Sequence, residues 1–193
     1  MNLTELLWNT IFHPHLAMQK LAAEKPWGLS LILYVAVLTC IMIINQGALA
    51  LRPIEEALRL PAQYLWLFGL VVIVFSLMVL FLSAGFFSLF SEIAYKRGNS
   101  LGLLSTLSFA VIPGLLGSVL QYATTILGLD WLGAIINSII IFWVLVLQVI
   151  AVRASLDLST GQALVVYFAP MLILAFIMTL FTVLIFTYSI SLL

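Results

Sequence analysis

Residues 109–117 read FAVIPGLLG, a proline followed directly by a glycine inside one of the most apolar stretches of the chain. Proline lacks the N–H donor and its ring collides with the preceding helical turn, so in water this stretch would end a helix. In lipid the constraint differs. Helix breakers are tolerated where neighbouring helices or Ser/Thr hydroxyls take up the freed backbone groups. The solvent around the segment decides its reading, and composition decides the solvent.

Of the 193 residues, 65% are hydrophobic and only 7% are charged, with seven Lys/Arg against seven Asp/Glu. The mean hydropathy is +1.28. A soluble domain carries about 25% charged residues, and no water-facing surface can be built from so few. The class is integral membrane, all-α. The apolar runs are continuous rather than alternating with period two, which favours helices over a barrel. A net charge of zero gives no basic footprint, so no nucleic-acid partner is expected. The single cysteine, Cys40, allows no intrachain disulfide and no multi-cysteine metal site.

A hydrocarbon core about 30 Å thick takes roughly 20 residues of helix, so the charges punctuate the crossings. The uncharged gaps run from Lys25 to Arg52, Arg59 to Glu92, Arg97 to Asp130, Asp130 to Arg153, and Asp157 to the C-terminus. Each holds one crossing and none comfortably holds two. Five spans follow, at about 27–49, 63–91, 101–127, 131–153 and 161–191. One side of the membrane then collects Lys20, Lys25, Lys96, Arg97 and Arg153, and the other only Arg52 and Arg59. The positive-inside rule puts the N-terminus in the cytoplasm and the C-terminus outside.

Before the first span, Leu3, Leu6, Leu7 and Ile11 recur at helical spacing, and Pro14 opens a second short segment that ends at Pro26. Residues 1–26 read as amphipathic helices lying on the inner leaflet. RPIEEALRLP (52–61) reads as a small interfacial helix, with Pro53 at its start and Glu55 and Glu56 near the positive end of its dipole. GLD (128–130) leaves room only for a tight hairpin, which makes the third and fourth spans antiparallel neighbours.

Counting by four through the opening stretch gives Gly102, Thr106, Ala110, Gly114 and Ser118, a stripe of small residues along the third span, widened by Gly117. Between membrane helices, close backbone approach through such patterns supplies much of the packing. The third span is therefore expected to be the central helix. Gly114→Ile should damage it more than Leu115→Ile. Pro113 bends it, and the hydroxyls of Thr106 and Ser108 are candidates for the freed backbone groups. Pro170 repeats the device in the fifth span: SLGLLSTLSFAVIP (100–113) and STGQALVVYFAP (159–170) both open on Ser/Thr and Gly and reach a proline after Phe–Ala.

Three of these landmarks resemble the Yip-domain family, the Ypt/Rab GTPase-interacting proteins and their prokaryotic relatives. They are Phe12–His13–Pro14 with the following LAMQKLAAEKPW, Phe109–Ala110–x–x–Pro113, and Ser159–Thr160–Gly161–x–Ala163 leading to Pro170. The resemblance covers nearly the whole chain. It implies a non-enzymatic membrane protein acting through homo-oligomers, membrane-protein partners or lipids. Eukaryotic members carry a longer cytoplasmic segment implicated in Rab binding, whereas about 26 residues precede the first span here. That implies a short prokaryotic-type member of the plasma (inner) membrane, without a Rab-type GTPase partner.

The residues show little chemistry of their own. His13 and His15 flank Pro14 with no third ligand at useful spacing, and no phosphate-binding or protease motif occurs. No cofactor or metal is expected. The rival class is a small-solute or ion transporter gated by the bent third and fifth spans. Its candidate polar path is Asn137 and Gln148, eleven residues apart on the fourth span; interhelical hydrogen bonding is the plainer role for both. Glu92 stands four residues before Lys96, the favourable order for a helical ion pair, with Arg153 as an alternative partner on the same side.

Overall fold

The computed structural model describes residues 3–50 and 62–191. The expected interfacial helix at 52–61 lies outside them. The described residues form eight helices and no strand: α1 (Leu3–Phe12), α2 (Pro14–Glu24), α3 (Trp27–Ala50), α4 (Ala62–Tyr95), α5 (Ser100–Ala110), α6 (Ile112–Ile126), α7 (Asp130–Leu156) and α8 (Thr160–Ser191). Five helical stretches are long and apolar enough to cross a membrane: Trp27–Ala48, Trp66–Tyr95, Ser100–Ile126, Asp130–Leu156 and Thr160–Ile185. The chain is a polytopic integral membrane protein. The starts of α3, α5 and α8 and the ends of α4 and α7 share one end of the bundle with Lys25, Lys96, Arg97 and Arg153, called the basic end below.

The third span is two helices, α5 and α6, and it is the hub. It packs against α3 and α7 along both parts, and α5 also meets α2 and α4. Every residue from Gly102 to Ala110 is buried, with Phe109 and Ala110 wholly enclosed. The third span is the least apolar of the five, and the Gly, Ser and Thr of α5 suit a helix enclosed by protein rather than by lipid.

Pro113 does not bend a continuous helix. α5 ends at Ala110, Val111 forms a turn, and α6 begins at Ile112 with Pro113 in its first turn. There the missing N–H is no loss, because the first amides of a helix have no acceptor within it. The Gly114 N–H donates to Val111 O at 2.9 Å, tightening the start of α6. The hydroxyls expected to rescue the proline are used elsewhere. Ser108 Oγ donates to Leu104 O at 2.7 Å, and Thr106 Oγ1 bonds back to Gly102 O at 3.0 Å. Pro170, by contrast, lies inside an unbroken α8.

The α6–α7 connection is a tight hairpin. Gly128 takes φ +71° and Leu129 N–H returns to Thr124 O at 2.9 Å, a left-handed helix terminus that suits glycine. The antiparallel pair it creates is very close. A Cβ on Gly133 would overlap Thr124 Oγ1, and one on Gly117 would stand 3.0 Å from Ile140 Cγ2.

The two N-terminal helices are packed on protein. α2 buries Ala17, Met18, Leu21 and Ala22 against α5 and α7, and α1 folds on α2 with Leu6 and Thr10 buried. Their outer face keeps Trp8, Phe12 and Leu16 exposed, with the Trp8 and Phe12 rings 4.2 Å apart.

Candidate functional site

The polar architecture of the basic end is organised by Asn99, between α4 and α5. Asn–Ser ahead of an apolar run is an N-cap signature, and Asn99 Oδ1 accepts from Gly102 N–H at 3.1 Å. Its amide nitrogen donates to Ser155 O at 3.0 Å, near the end of α7, and to Ala22 O at 3.5 Å, near the end of α2. Its backbone N–H donates to Ser88 Oγ of α4 at 3.1 Å. One side chain and one peptide thus tie four helices. About two turns further along α5, the buried Thr106 Oγ1 and Ser155 Oγ lie 2.7 Å apart and continue the α5–α7 seam.

This arrangement changes the role of Gly102. A Cβ there would collide with the Asn99 side chain, so the glycine makes room for the cap rather than for a neighbouring helix. The other members of the stripe also divide. Thr106, Ala110 and Ser118 are buried, as is the neighbouring Pro113, while Gly114 is half-buried, and a Cβ on it would meet Ile41 Cδ1 of α3 at an ordinary 3.6 Å. A row taken every four residues drifts about 40° per step around a helix of 3.6 residues per turn. It therefore winds from α7 at Thr106 to α3 at Gly114. The tight contacts of the α6–α7 hairpin are at Gly117 and at Gly133, both outside the row.

Three helices reach the basic end and stop on a charged residue in the left-handed region: Lys25 after α2 (φ 49°), Lys96 after α4 (φ 59°) and Asp157 after α7 (φ 50°). Glycine is the usual occupant of such positions. Arg97 Nη1 stands 2.7 Å from Asp157 Oδ2 and also donates to Asp157 O, joining the α4–α5 loop to the α7–α8 loop. Both side chains are well exposed, so the pair orients the loops and adds little stability. It takes the place expected for Glu92: among the described residues Glu92, Lys96 and Arg153 form no ion pair. The helix turns left-handed at Lys96, and Lys96 N–H still donates to Glu92 O at 3.0 Å, but the ammonium does not meet the carboxylate.

Beside Asn99 opens a cleft of about 370 Å³, lined by Lys25, Glu92, Lys96, Gly98, Asn99 and Leu101 among others. Gly98 shapes it. A Cβ there would stand 3.1 Å from Glu92 Oε2 and 3.4 Å from Ser88 Oγ.

The candidate polar path is not brought together. Gln148 Oε1 accepts from Tyr167 OH, an α7–α8 link supported by the Phe87 ring of α4, 5.5 Å from that of Tyr167. Asn137 stays half-buried toward the other end. His13 and His15 are exposed, and no group of His, Cys, Asp or Glu among the described residues has the placement of a metal site.

With five spans, a central third span and the Phe12–Pro14, Phe109–Pro113 and Ser159–Pro170 landmarks placed, family membership can be tested over the whole chain. The family model described as the Yip1 domain matches residues 8–183. The chain belongs to the Yip1 domain family. Comparison with curated proteins and with solved structures gave no match. In this Yip1-domain protein the matched region includes the second half of α1, all of α2 and the spans through most of α8, so α2 belongs to the domain and α1 enters it part-way.

Proposed function

We propose that this Yip1-domain protein is a non-enzymatic membrane component that acts through lipids or membrane-protein partners, including further copies of itself. Its basic end faces the cytoplasm of a prokaryotic plasma membrane. The observation that carries the reading is the contrast between its two polar regions. Inside the bundle the buried hydroxyls of Thr10, Ser105, Thr106 and Ser108 bond to helix carbonyls, and Thr106 also meets Ser155, while Ser91 Oγ is the exception among the described residues. At the basic end, charged side chains line an open cleft without pairing. Polar groups that serve only packing are satisfied within the protein; charges left unpaired around a cleft are available to something else.

A transporter would need a wet route through the third, fourth and fifth spans. The engagement of Gln148 with Tyr167 favours interhelical cohesion instead. The test is native mass spectrometry of the protein extracted in nanodiscs, run beside flux assays in proteoliposomes. Retained lipid or a reproducible membrane partner, with no flux, supports the proposal. Solute or ion flux that Gln148→Leu abolishes would overturn it.

A further inference from the structure

The cleft beside Asn99 holds three charges that neighbour one another and do not neutralise one another. Lys25 comes from the end of α2, and Glu92 and Lys96 from the last turn of α4 and the residue after it; all three are exposed. Glu92 and Lys96 have the spacing of a helical ion pair, yet the left-handed turn at Lys96 keeps them apart. Gly98 leaves space for the Glu92 carboxylate, whose Oε2 lies where a Cβ would crowd it. The cleft floor is the first turn of α5, whose Ser100 and Leu101 amides have no acceptor within the helix and carry the positive end of its dipole.

The position in the bilayer narrows the occupant. The cleft lies where α4 ends at Tyr95 and α5 begins at Ser100, with α3 starting at Trp27, so it is at the level where apolar spans give way to headgroups. Trp27, Ile93 and the cleft-lining Leu101 are exposed nearby, an apolar surface for acyl chains below a polar cleft. At about 370 Å³ it falls within the usual range of small-ligand sites. Two ammonium groups and a helix start suit a phosphate. The carboxylate would repel a headgroup that is only anionic and would welcome one that also carries a cation.

We infer that this cleft binds the headgroup of a zwitterionic aminophospholipid, with its phosphate at Lys25, Lys96 and the start of α5 and its primary ammonium on Glu92. A primary ammonium can donate hydrogen bonds to the carboxylate, whereas a trimethylated one cannot. The inference rests on the lipid-directed reading above and names the lipid class for one site.

The test uses the full chain, delipidated in detergent and titrated under native mass spectrometry with phosphatidylethanolamine, phosphatidylcholine and phosphatidylglycerol of identical acyl chains. The ethanolamine lipid should be retained about tenfold better than the choline lipid, or more, the scale of one charge-assisted hydrogen bond. Glu92→Gln should erase that preference and leave glycerol-lipid binding equal or stronger. Lys25→Gln with Lys96→Gln should weaken all three lipids by a similar factor. Unchanged thermal unfolding of these surface variants would show that the fold persists. Equal retention of ethanolamine and choline lipids by the unaltered protein would overturn the inference, as would a preference that survives Glu92→Gln. Competition by free glycerophosphoethanolamine at the lipid's own concentration would overturn the assignment to a membrane lipid, and failure to compete supports it. Solute flux would sink the function proposed above without touching this headgroup preference, so the two failures are distinguishable.

Discussion

The third and fifth spans share a local pattern and have opposite fates. Each opens on Ser/Thr and Gly at the basic end and reaches Phe–Ala shortly before or at a proline. In the third span the proline starts a new helix, and the segment before it is buried on every side. In the fifth, Pro170 lies inside a continuous helix. Ala163 and Val166 are fully enclosed ahead of it, and each described side chain from Leu172 to Ile185 is exposed. The local signal marks a place where backbone hydrogen bonding is relaxed. Whether the chain breaks there depends on how much protein surrounds it, because a broken helix in lipid needs neighbours to cover its polar groups.

The largest effect should come from driving the hub apart. Gly133→Leu places a side chain where Thr124 Oγ1 already stands, and overpacking a close contact costs about 1–3 kcal/mol and sometimes more. Gly133→Leu should lower the thermal unfolding midpoint in detergent well beyond any single substitution at the exposed Leu172–Ile185 stretch. Equal midpoints would mean that the α6–α7 contact does not hold the bundle.

Asn99→Ala comes next. It removes an N-cap, about 0.5–2 kcal/mol, and strips Ser155 O and Ala22 O of a donor. Together these should destabilise by about 2–3 kcal/mol. Hydrogen exchange should rise at the start of α5 and the ends of α2 and α7, and not in the distant part of α8. Uniform exchange across all helices would argue against Asn99 as a local tie.

The two prolines offer the sharpest test of the comparison. Pro170→Ala restores an N–H that can reach the carbonyl four residues back and should raise the midpoint, since interior proline costs a helix up to about 3 kcal/mol. Pro113→Ala, at a position where proline is already at home, should be neutral or destabilising by about 1 kcal/mol. The same sign for both would collapse the distinction. The smallest effect belongs to Gly114→Ala, whose new Cβ finds ordinary contact with Ile41, so the shift should stay within about 0.5 kcal/mol. A bulkier side chain at 114 presses further on Ile41, so Gly114→Ile should still lower the midpoint more than Leu115→Ile.

Much of the fold was legible because charge is so costly in hydrocarbon. Fourteen charged residues marked the span limits, and helix was the remaining way to satisfy the backbone. The centrality of the third span was readable from its small residues, but their separate tasks were not. Gly102 serves a cap, Gly117 a helix contact, and Gly114 neither closely, because spacing along one helix does not report which neighbour faces each position. The Arg97–Asp157 pair escaped notice for a related reason: the two residues are 60 apart, and only the closing of α4–α5 against α7–α8 brings their loops together. Asn99 had a visible signal in the Asn–Ser start of α5. Its bonds to Ala22 and Ser155 had none.

From its order of residues alone the protein was bound to lie in a membrane, to cross it five times and to end its helices near its charges, since transfer of a charged or unpaired polar group into hydrocarbon outweighs any local preference. Tertiary structure decided which crossing sits at the centre, which proline divides a helix, and which charges remain unpaired around a cleft. Those outcomes depend on contacts between segments far apart in the chain, where small differences in shape determine how closely two helices approach.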